Sequence, residues 1–188
     1  MARTAEKMPA FAIREQRTYH FTMQLKPQDF VVSLKLALQP GLTFQQLSES
    51  LRLSKSEAHA AVQRAQAAGL LRGDRKPVRH AILEFAIHGV RYAFPSVRGG
   101  ITPGMPTAYA APPLSELIHA GRDPIPVWPD AAGEARGETL EPLYPSVPAA
   151  ARADPRLYQC LALIDAVRSG RARERNLAAE HLPRLLHG

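Results

Sequence analysis

The chain has 188 residues, a formal net charge of +7 and an ordinary hydrophobic fraction of 45%, with aromatic residues at only 6%. This suits one compact domain with appendages, or two small ones, and favours alanine-rich and leucine-rich helices over a sandwich of β-branched strands. The lone cysteine, Cys160, excludes an intrachain disulfide and thiolate metal clusters, and the absence of a long apolar run predicts a cytoplasmic protein without a membrane span.

The first 24 residues show no sustained periodicity and predict a flexible N-terminal arm, with a short strand at 19–23. From Pro27 the pattern becomes helical, with Phe30, Leu34 and Leu38 at helical spacing and proline in the first turn. Pro40 and Gly41 then end this first helix.

Two capping patterns predict the next two helices. Thr43 with Gln46, and Ser54 with Glu57, have the spacing of a capping box, in which each side chain accepts a hydrogen bond from the other residue's backbone. The second of these helices, residues 54–68, ends before Gly69. The sequence therefore predicts two short helices joined by a turn of three to four residues.

A hairpin is predicted directly after these helices. Residues 70–80 flank Gly73 and Asp74, which suit a tight turn, and Pro77 requires an edge position. A further amphipathic helix is expected from His80 to about Tyr92, with Gly89 as a weak point or stop.

The second half of the chain is predicted to be less regular. Residues 95–150 contain most of the prolines, so we expect an irregular segment with a short helical turn at 115–119. Residues 151–188 show two apolar sets separated by Ser169 and Gly170, which predict a helical pair. We expect these helices to form a dimer contact through their apolar faces.

The segment TFQQLSESLRLSKSEAHAAVQRAQAAGLLRGDRKPVR resembles the winged helix-turn-helix of MarR-like bacterial transcription regulators. A capped helix, a short leucine-containing turn, a serine-capped helix and Gly-Leu-Leu before a basic hairpin follow in that order. The resemblance covers residues 27–80. It implies a winged helix-turn-helix module with a β-hairpin wing, which together with the helix that follows is assigned to residues 25–94. With the patterns in the rest of the chain, this predicts a mainly α protein with a proline-rich irregular middle and a C-terminal helical pair.

The charge distribution is compatible with DNA binding by this module. Residues 1–80 contain 13 Lys and Arg against 6 Asp and Glu, whereas residues 81–150 contain 4 against 7, and residues 151–188 contain 7 against 4. A cationic block attracts polyanions and releases counterions from phosphate backbones. A solvated basic face would show the same excess, so charge alone leaves both interpretations open.

The helix 54–68 supplies candidate base contacts, because its face opposite Ala58, Ala61, Val62 and Ala65 carries short or hydrogen-bonding side chains suited to the major groove. The candidates there are Ser56, His59 and Gln63, with Lys55 for a base or a phosphate. Phosphate contacts are expected from the capped helix starts at Thr43 and Ser54, from two arginines beside the helices and from the wing. These cationic candidates are Arg52, Arg64, Arg72, Arg75, Lys76 and Arg79.

We therefore expect a dimeric, sequence-specific regulator of double-stranded DNA, acting as a repressor, with no enzymatic activity, metal or cofactor. Dimerisation would place two recognition helices on half-sites one helical turn apart. Two alternatives stay open. The protein could be an antitoxin or adaptor that binds a partner protein through residues 95–188 and autoregulates its operon, or the module could be a protein-docking fold. Arg98 to Gly100 and residues 102–109 form a candidate ligand or partner pocket, against the simpler interpretation of a packed loop.

Overall fold

A computed structural model describes residues 24–119, 121 and 123–187, so nearly all of the predicted N-terminal arm lies outside the described residues. The fold is mainly helical with one small sheet, as predicted at this coarse level. Within the described residues, no helix has both the length and the hydropathy required to cross a membrane. The α-helices are α1 (Pro27–Leu38), α2 (Phe44–Leu51), α3 (Lys55–Ala67), α4 (Arg79–Glu84), α5 (Val90–Ala93), α6 (Val147–Ala153), α7 (Pro155–Ser169) and α8 (Ala172–His187). The strands are β1 (Arg98–Pro106), β2 (Pro126–Pro129) and β3 (Ala135–Leu140).

Helices α2 and α3 begin at the two predicted caps. Thr43 Oγ1 accepts a hydrogen bond from Gln46 N at 3.2 Å, and Thr43 N donates to Gln46 Oε1 at 2.9 Å, which completes the first capping box. Ser54 Oγ accepts from Glu57 N at 3.1 Å. The second box is incomplete because the Glu57 carboxylate bonds to other elements, so α3 is capped by the serine alone.

The turn between α2 and α3 is fixed by backbone hydrogen bonds. Arg52 takes a left-handed conformation with φ 56°, and Leu53 N donates to Ser48 O at 3.0 Å. The buried Ser48 hydroxyl donates back to Leu53 O at 3.0 Å. These bonds satisfy the carbonyls at the end of α2 and set the direction of α3.

The predicted hairpin is present but short. Leu71 and Pro77 form a single antiparallel bridge, and Arg75 N donates to Arg72 O at 2.9 Å around the predicted turn residues 73–74. Arg75 has φ 65°, the left-handed position that commonly follows such a turn in three-residue hairpin loops. Pro77 therefore lies in a strand pair with no third strand, as its missing N–H requires.

The helix predicted from His80 to Tyr92 is interrupted. Between α4 and α5 the backbone forms a π-helical turn at Phe85–Gly89. A Cβ at Gly89 would lie 2.7 Å from Cδ2 of Phe85, so glycine lets this aromatic ring lie against the backbone. Phe85 packs edge-on against Phe30 of α1, with ring centroids 4.9 Å apart.

The expectation of an irregular segment at 95–150 is wrong, because these residues contain β1, β2, β3 and the first turn of α6. Each strand pairs with the other two: β1 is antiparallel to both β2 and β3, and β2 and β3 are parallel. This closure requires glycine where strands meet, since a Cβ at Gly104 would lie 2.2 Å from Trp128 O. The helical turn expected at 115–119 is a 3₁₀ turn at Leu114–Glu116.

Prolines are tolerated in β1 because of where their nitrogens point. The N and O atoms of one strand residue face the same edge. Pro103 O accepts from Asp130 N, so Pro103 faces the β2 edge, one residue before the β1–β2 pairing begins at Gly104. Pro106 O accepts from the Tyr158 hydroxyl at 2.8 Å, so Pro106 faces the β3 edge, after the β1–β3 pairing has ended at Gly104. Neither proline therefore removes a ladder hydrogen bond, and a strand can form where the proline content predicted an irregular segment.

Helix α7 lies at the centre of one apolar cluster that includes residues from the N-terminal helices, the sheet and α8. The break predicted at Ser169 and Gly170 separates α7 from α8. Leu157 and Leu161 on α7 are at most 1% exposed, and Leu182 on α8 is fully buried. The apolar faces from which we predicted a dimer contact are thus largely covered within the chain itself.

Candidate nucleic-acid interface

Helix α3 presents one apolar and one polar face. Its inward residues Ala58, Ala61, Val62 and Ala65 are at most 2% exposed, as predicted. The predicted reading residues Ser56, His59 and Gln63 are exposed, and so are Ser54 and Lys55 at the helix start. The small inward side chains let α3 lie close to α1, while its hydrogen-bonding groups face solvent.

The guanidinium of Arg64 is paired with a buried carboxylate, which corrects its assignment as a phosphate contact. Its guanidinium forms two hydrogen bonds with the fully buried carboxylate of Asp29 on α1, Nε to Oδ2 at 2.8 Å and Nη2 to Oδ1 at 2.7 Å. Donation of these hydrogen bonds to Asp29 raises the pKa of Arg64, against an opposing effect of burial. The pair anchors α3 to α1.

A second polar contact holds α3 from the side. The Glu57 carboxylate accepts hydrogen bonds from Gln28 Nε2 at 3.4 Å and from the Tyr144 hydroxyl at 3.1 Å. Burial, followed by the hydrogen bond and charge of Glu57, raises the pKa of Tyr144. The orientation of α3 is therefore tied to α1 and to the segment that follows β3.

His59 is oriented by an aromatic contact that the sequence did not indicate. Its ring stacks on Phe44, with centroids 3.6 Å apart and an interplanar angle of 16°. Arg75 of the hairpin places its guanidinium carbon 4.7 Å from the Phe44 centroid and donates to Leu42 O at 3.3 Å. Phe44 is half-buried and supports both candidate contact residues, His59 and Arg75.

A groove of about 300 Å³ separates α3 from the hairpin. Gln63 and Gln66 line its helix side, and Gly73 and Asp74 line its hairpin side. Gln66 Nε2 donates to Arg72 O at 2.8 Å and to Gly73 O at 3.0 Å, so it holds the hairpin tip against α3. Gln66 is not among the predicted residues, because no local sequence pattern indicates an amide that donates to backbone carbonyls six and seven residues away.

The remaining cationic candidates differ in exposure. Arg52 and Arg72 are exposed, as is Lys76, although its Nζ lies 2.8 Å from Asp74 Oδ2. Lys55 Nζ lies 3.4 Å from Gln45 Oε1 on α2. These four cations can reach a ligand, and Arg75 can do so in part.

The prediction of Arg79 as a phosphate contact is also corrected by the structure. Its Nε donates to Leu186 O at 2.8 Å and its Nη2 donates to Ala37 O at 3.1 Å, so its guanidinium binds the C-terminal carbonyls of α8 and α1. Cations stabilise helix C-termini, where the carbonyls lack intrahelical partners. Arg79 therefore joins the N-terminal helices to α8, and it is not available for phosphate.

Comparison with protein-family models, with curated proteins and with solved structures finds no match for this chain. Within the described residues, no group of three or more His, Cys, Asp or Glu side chains is arranged to hold a metal ion. The candidate site is therefore defined by the geometry of α2, α3 and the hairpin.

Proposed function

We propose that the protein is a winged helix-turn-helix regulator that binds double-stranded DNA, with α3 in the major groove and the hairpin 70–80 on the phosphate backbone. The observation that carries this is the polar face of α3. Serine, histidine and glutamine side chains are exposed along it, backed by fully buried alanines. Such groups hydrogen-bond to base edges, and a close-packed inner face keeps the helix rigid during binding.

The arrangement of cations supports the same proposal. Lys55 lies at the start of α3, and Arg72 and Lys76 lie on either side of the hairpin turn. Cations beside a reading helix position a protein on the duplex without specifying sequence. The buried Asp29–Arg64 pair and Gln66 hold the helix and the hairpin in a fixed relation to each other.

Selection of bound fragments from genomic DNA at two salt concentrations tests the proposal. The triple variant Lys55→Glu, Arg72→Glu and Lys76→Glu is expected to lose binding and to lower the salt slope by about 3, one per phosphate contact. The matched control replaces three exposed arginines outside the module by glutamate, which makes the same change in net charge: Arg136, Arg173 and Arg184. If both triple variants lose affinity equally, net charge explains the binding and the proposal fails.

Recognition of specific DNA bases by α3 is tested separately. Gln63→Ala is expected to weaken the selected site by about 1–3 kcal/mol while leaving nonspecific binding unchanged. A dimeric repressor further predicts selected sites with two inverted half-sites about one helical turn apart. Sedimentation with and without such a site measures the number of copies bound; a single copy on a single asymmetric site would refute the dimer.

The alternative function is a partner-binding antitoxin or adaptor. Exposed large apolar side chains favour this function. Residues 95–188, the segment predicted to bind the partner, contain three of them that are 45–52% exposed: Val97, Ile101 and Leu117. Isolated apolar residues are common on protein surfaces, so this observation is weaker support for a function than the polar face of α3 is. Co-purification with the product of a neighbouring gene, lost on replacing these three residues by serine, would support this function.

A further inference from the structure

A cavity of about 620 Å³ lies outside the α2, α3 and hairpin module. It is bounded by the first half of β1, by β3, by the chain between β1 and β2, and by the start of α8. Its volume is within the range of small-molecule sites, roughly 300–1,000 Å³. Part of the wall is the Arg98 to Gly100 stretch, for which the sequence left open a pocket or a packed loop.

A β-bulge shapes the floor of this cavity. Arg98 pairs with Leu140 and Ile101 pairs with Glu138, so β1 contains one more residue than β3 between the two pairs. Gly99 and Gly100 occupy the bulge. Among the described residues other than its two chain neighbours, none has an atom within 4 Å of a Cβ built on Gly100. Bulges beside glycines leave room for a ligand to approach the backbone closely.

Charged groups of both signs line the cavity. Arg98 Nη1 lies 2.6 Å from Glu138 Oε2, and its Nη2 donates to Ser169 O at 3.2 Å, which fixes this guanidinium at the end of α7. Arg171 N donates to Glu174 Oε2 at 3.0 Å, so the Glu174 carboxylate is held at the start of α8. With Asp123, the described lining contains three carboxylates and two guanidinium groups.

Tyr109 is held at the cavity wall by a strained backbone. The preceding residue, Ala108, has φ 51°, a conformation that costs an alanine on the order of 1 kcal/mol or more. Thr107, one residue earlier, donates its hydroxyl to the buried Asp165 on α7 at 2.9 Å. Burial raises the pKa of Tyr109, and the charge of Glu174 adds to that effect.

The same buried carboxylate fixes the neighbouring strands. Asp165 accepts hydrogen bonds from Trp128 Nε1 of β2 at 2.6 Å and from Arg168 Nη1 at 2.5 Å. Arg168 Nε also donates to Phe94 O at 2.8 Å, just before β1. An ionic network buried in α7 therefore holds β2 and the Tyr109 turn, which follows β1, at fixed positions.

We propose that this cavity binds a small zwitterion, namely an apolar α-amino acid or a dipeptide of such amino acids. Arg171 offers a planar donor pair for the ligand carboxylate, and Glu138 and Glu174 offer acceptors for its ammonium group. Ile101, 50% exposed, and Ile118 provide apolar surface for the side chain. This site is additional to the proposed DNA interface and does not depend on it.

Isothermal titration of the full chain without DNA tests the proposal. The probes are L-leucine, L-phenylalanine and L-leucyl-L-phenylalanine, with L-phenylalanine amide, N-acetyl-L-phenylalanine and N-acetyl-L-phenylalanine amide as analogues lacking one or both charges. We expect saturable binding of at least one zwitterion, and binding at least about tenfold weaker for each analogue, equivalent to about 1.4 kcal/mol. The tightest probe distinguishes a free amino acid from a dipeptide. If no probe binds at millimolar concentration, or if the analogues bind equally well, the proposal is overturned.

Variants locate the binding. Arg171→Gln removes the charge for the ligand carboxylate, and Glu174→Gln removes a negative charge while its amide oxygen can still accept from Arg171 N. Each should weaken binding about tenfold, and Gly100→Leu should abolish it by filling the cavity. Arg173→Gln, on the same helix but outside the lining, is the matched control and should bind as the native chain does. Native affinity in both charge variants would place the ligand elsewhere and refute the site.

Discussion

Arg64 provides the sharpest test of the structure, because the sequence and the fold assign it opposite roles. The sequence placed it among the phosphate contacts, whereas the structure pairs it with Asp29, and the two side chains are 14% and 0% exposed. Arg64→Met keeps most of the apolar stem and removes the guanidinium. The buried Asp29 carboxylate then retains the backbone N–H of Lys26 at 2.7 Å.

The expected destabilisation is large. Breaking a buried ion pair by removing one partner costs about 3–5 kcal/mol, since an uncompensated charge stays in the interior. The remaining hydrogen bond from Lys26 and the partial exposure of Arg64 place this variant near the lower end, at about 3 kcal/mol. Total stabilities of domains are roughly 5–15 kcal/mol, so the loss is readily measured.

Urea unfolding followed by far-ultraviolet circular dichroism measures the loss, and DNA binding is measured under conditions in which the variant stays folded. Asp29→Asn with Arg64→Met should cost less than the sum of the two single variants, because neither charge is then buried alone. Arg72→Met is the matched control: the exposed hairpin arginine should lose DNA affinity with stability within about 0.5 kcal/mol of the native chain. If Arg64→Met instead keeps native stability and lowers the salt slope of DNA binding, the structural role of Arg64 is refuted.

Three further predictions test other parts of the fold. The pKa of Asp154 is lowered: burial opposes this, but the hydrogen bond from Lys35, 2.7 Å away, helps to outweigh it. A carboxyl group whose pKa is lowered by folding stabilises the folded state at pH values above its unfolded pKa, and this stabilisation disappears as pH falls through the folded pKa. Asp154→Asn should therefore cost about 2 kcal/mol at pH 7, and progressively less in acid-unfolding titrations below about pH 4. Burial raises the pKa of Cys160 to about 12, and we expect a thiol reagent at neutral pH to modify it only after urea unfolding; rapid labelling of the folded chain would contradict its burial. Gly104→Ala should destabilise the sheet by about 3 kcal/mol or more through overpacking, whereas Gly100→Ala, open within 4 Å, should be close to neutral in the same thermal melts.

Local chemistry made the helical module predictable. The caps at Thr43 and Ser54 place the starts of α2 and α3 because a polar side chain satisfies nearby N–H groups in any context. The turn at residues 73–74 follows in the same way from backbone preferences. The inward face of α3 was predicted from helical periodicity alone, and every residue assigned to it is buried.

Partners distant in sequence made other features unpredictable. In the sequence, Arg64 and Arg79 look like the exposed Arg72, since all three are arginines of the same basic segment. In the structure, the guanidinium of Arg64 binds Asp29, and that of Arg79 binds the carbonyls of Ala37 and Leu186. Nothing near them in the sequence distinguishes an arginine that meets a carboxylate across a helix interface from one that meets solvent. The assignment of functional cations therefore required the packing of α1, α3 and α8.

By itself, the sequence determined that the chain is mainly helical, where α2 and α3 begin, and which face of α3 is polar, since these follow from interactions within one or two turns. Only the tertiary structure decided that the proline-rich segment forms a closed sheet, because the direction in which Pro103 and Pro106 point is set by their strand partners. It also decided which arginines are exposed and that the C-terminal helices are covered by the same chain. Each of these depends on contacts between distant segments, which a one-dimensional pattern does not contain.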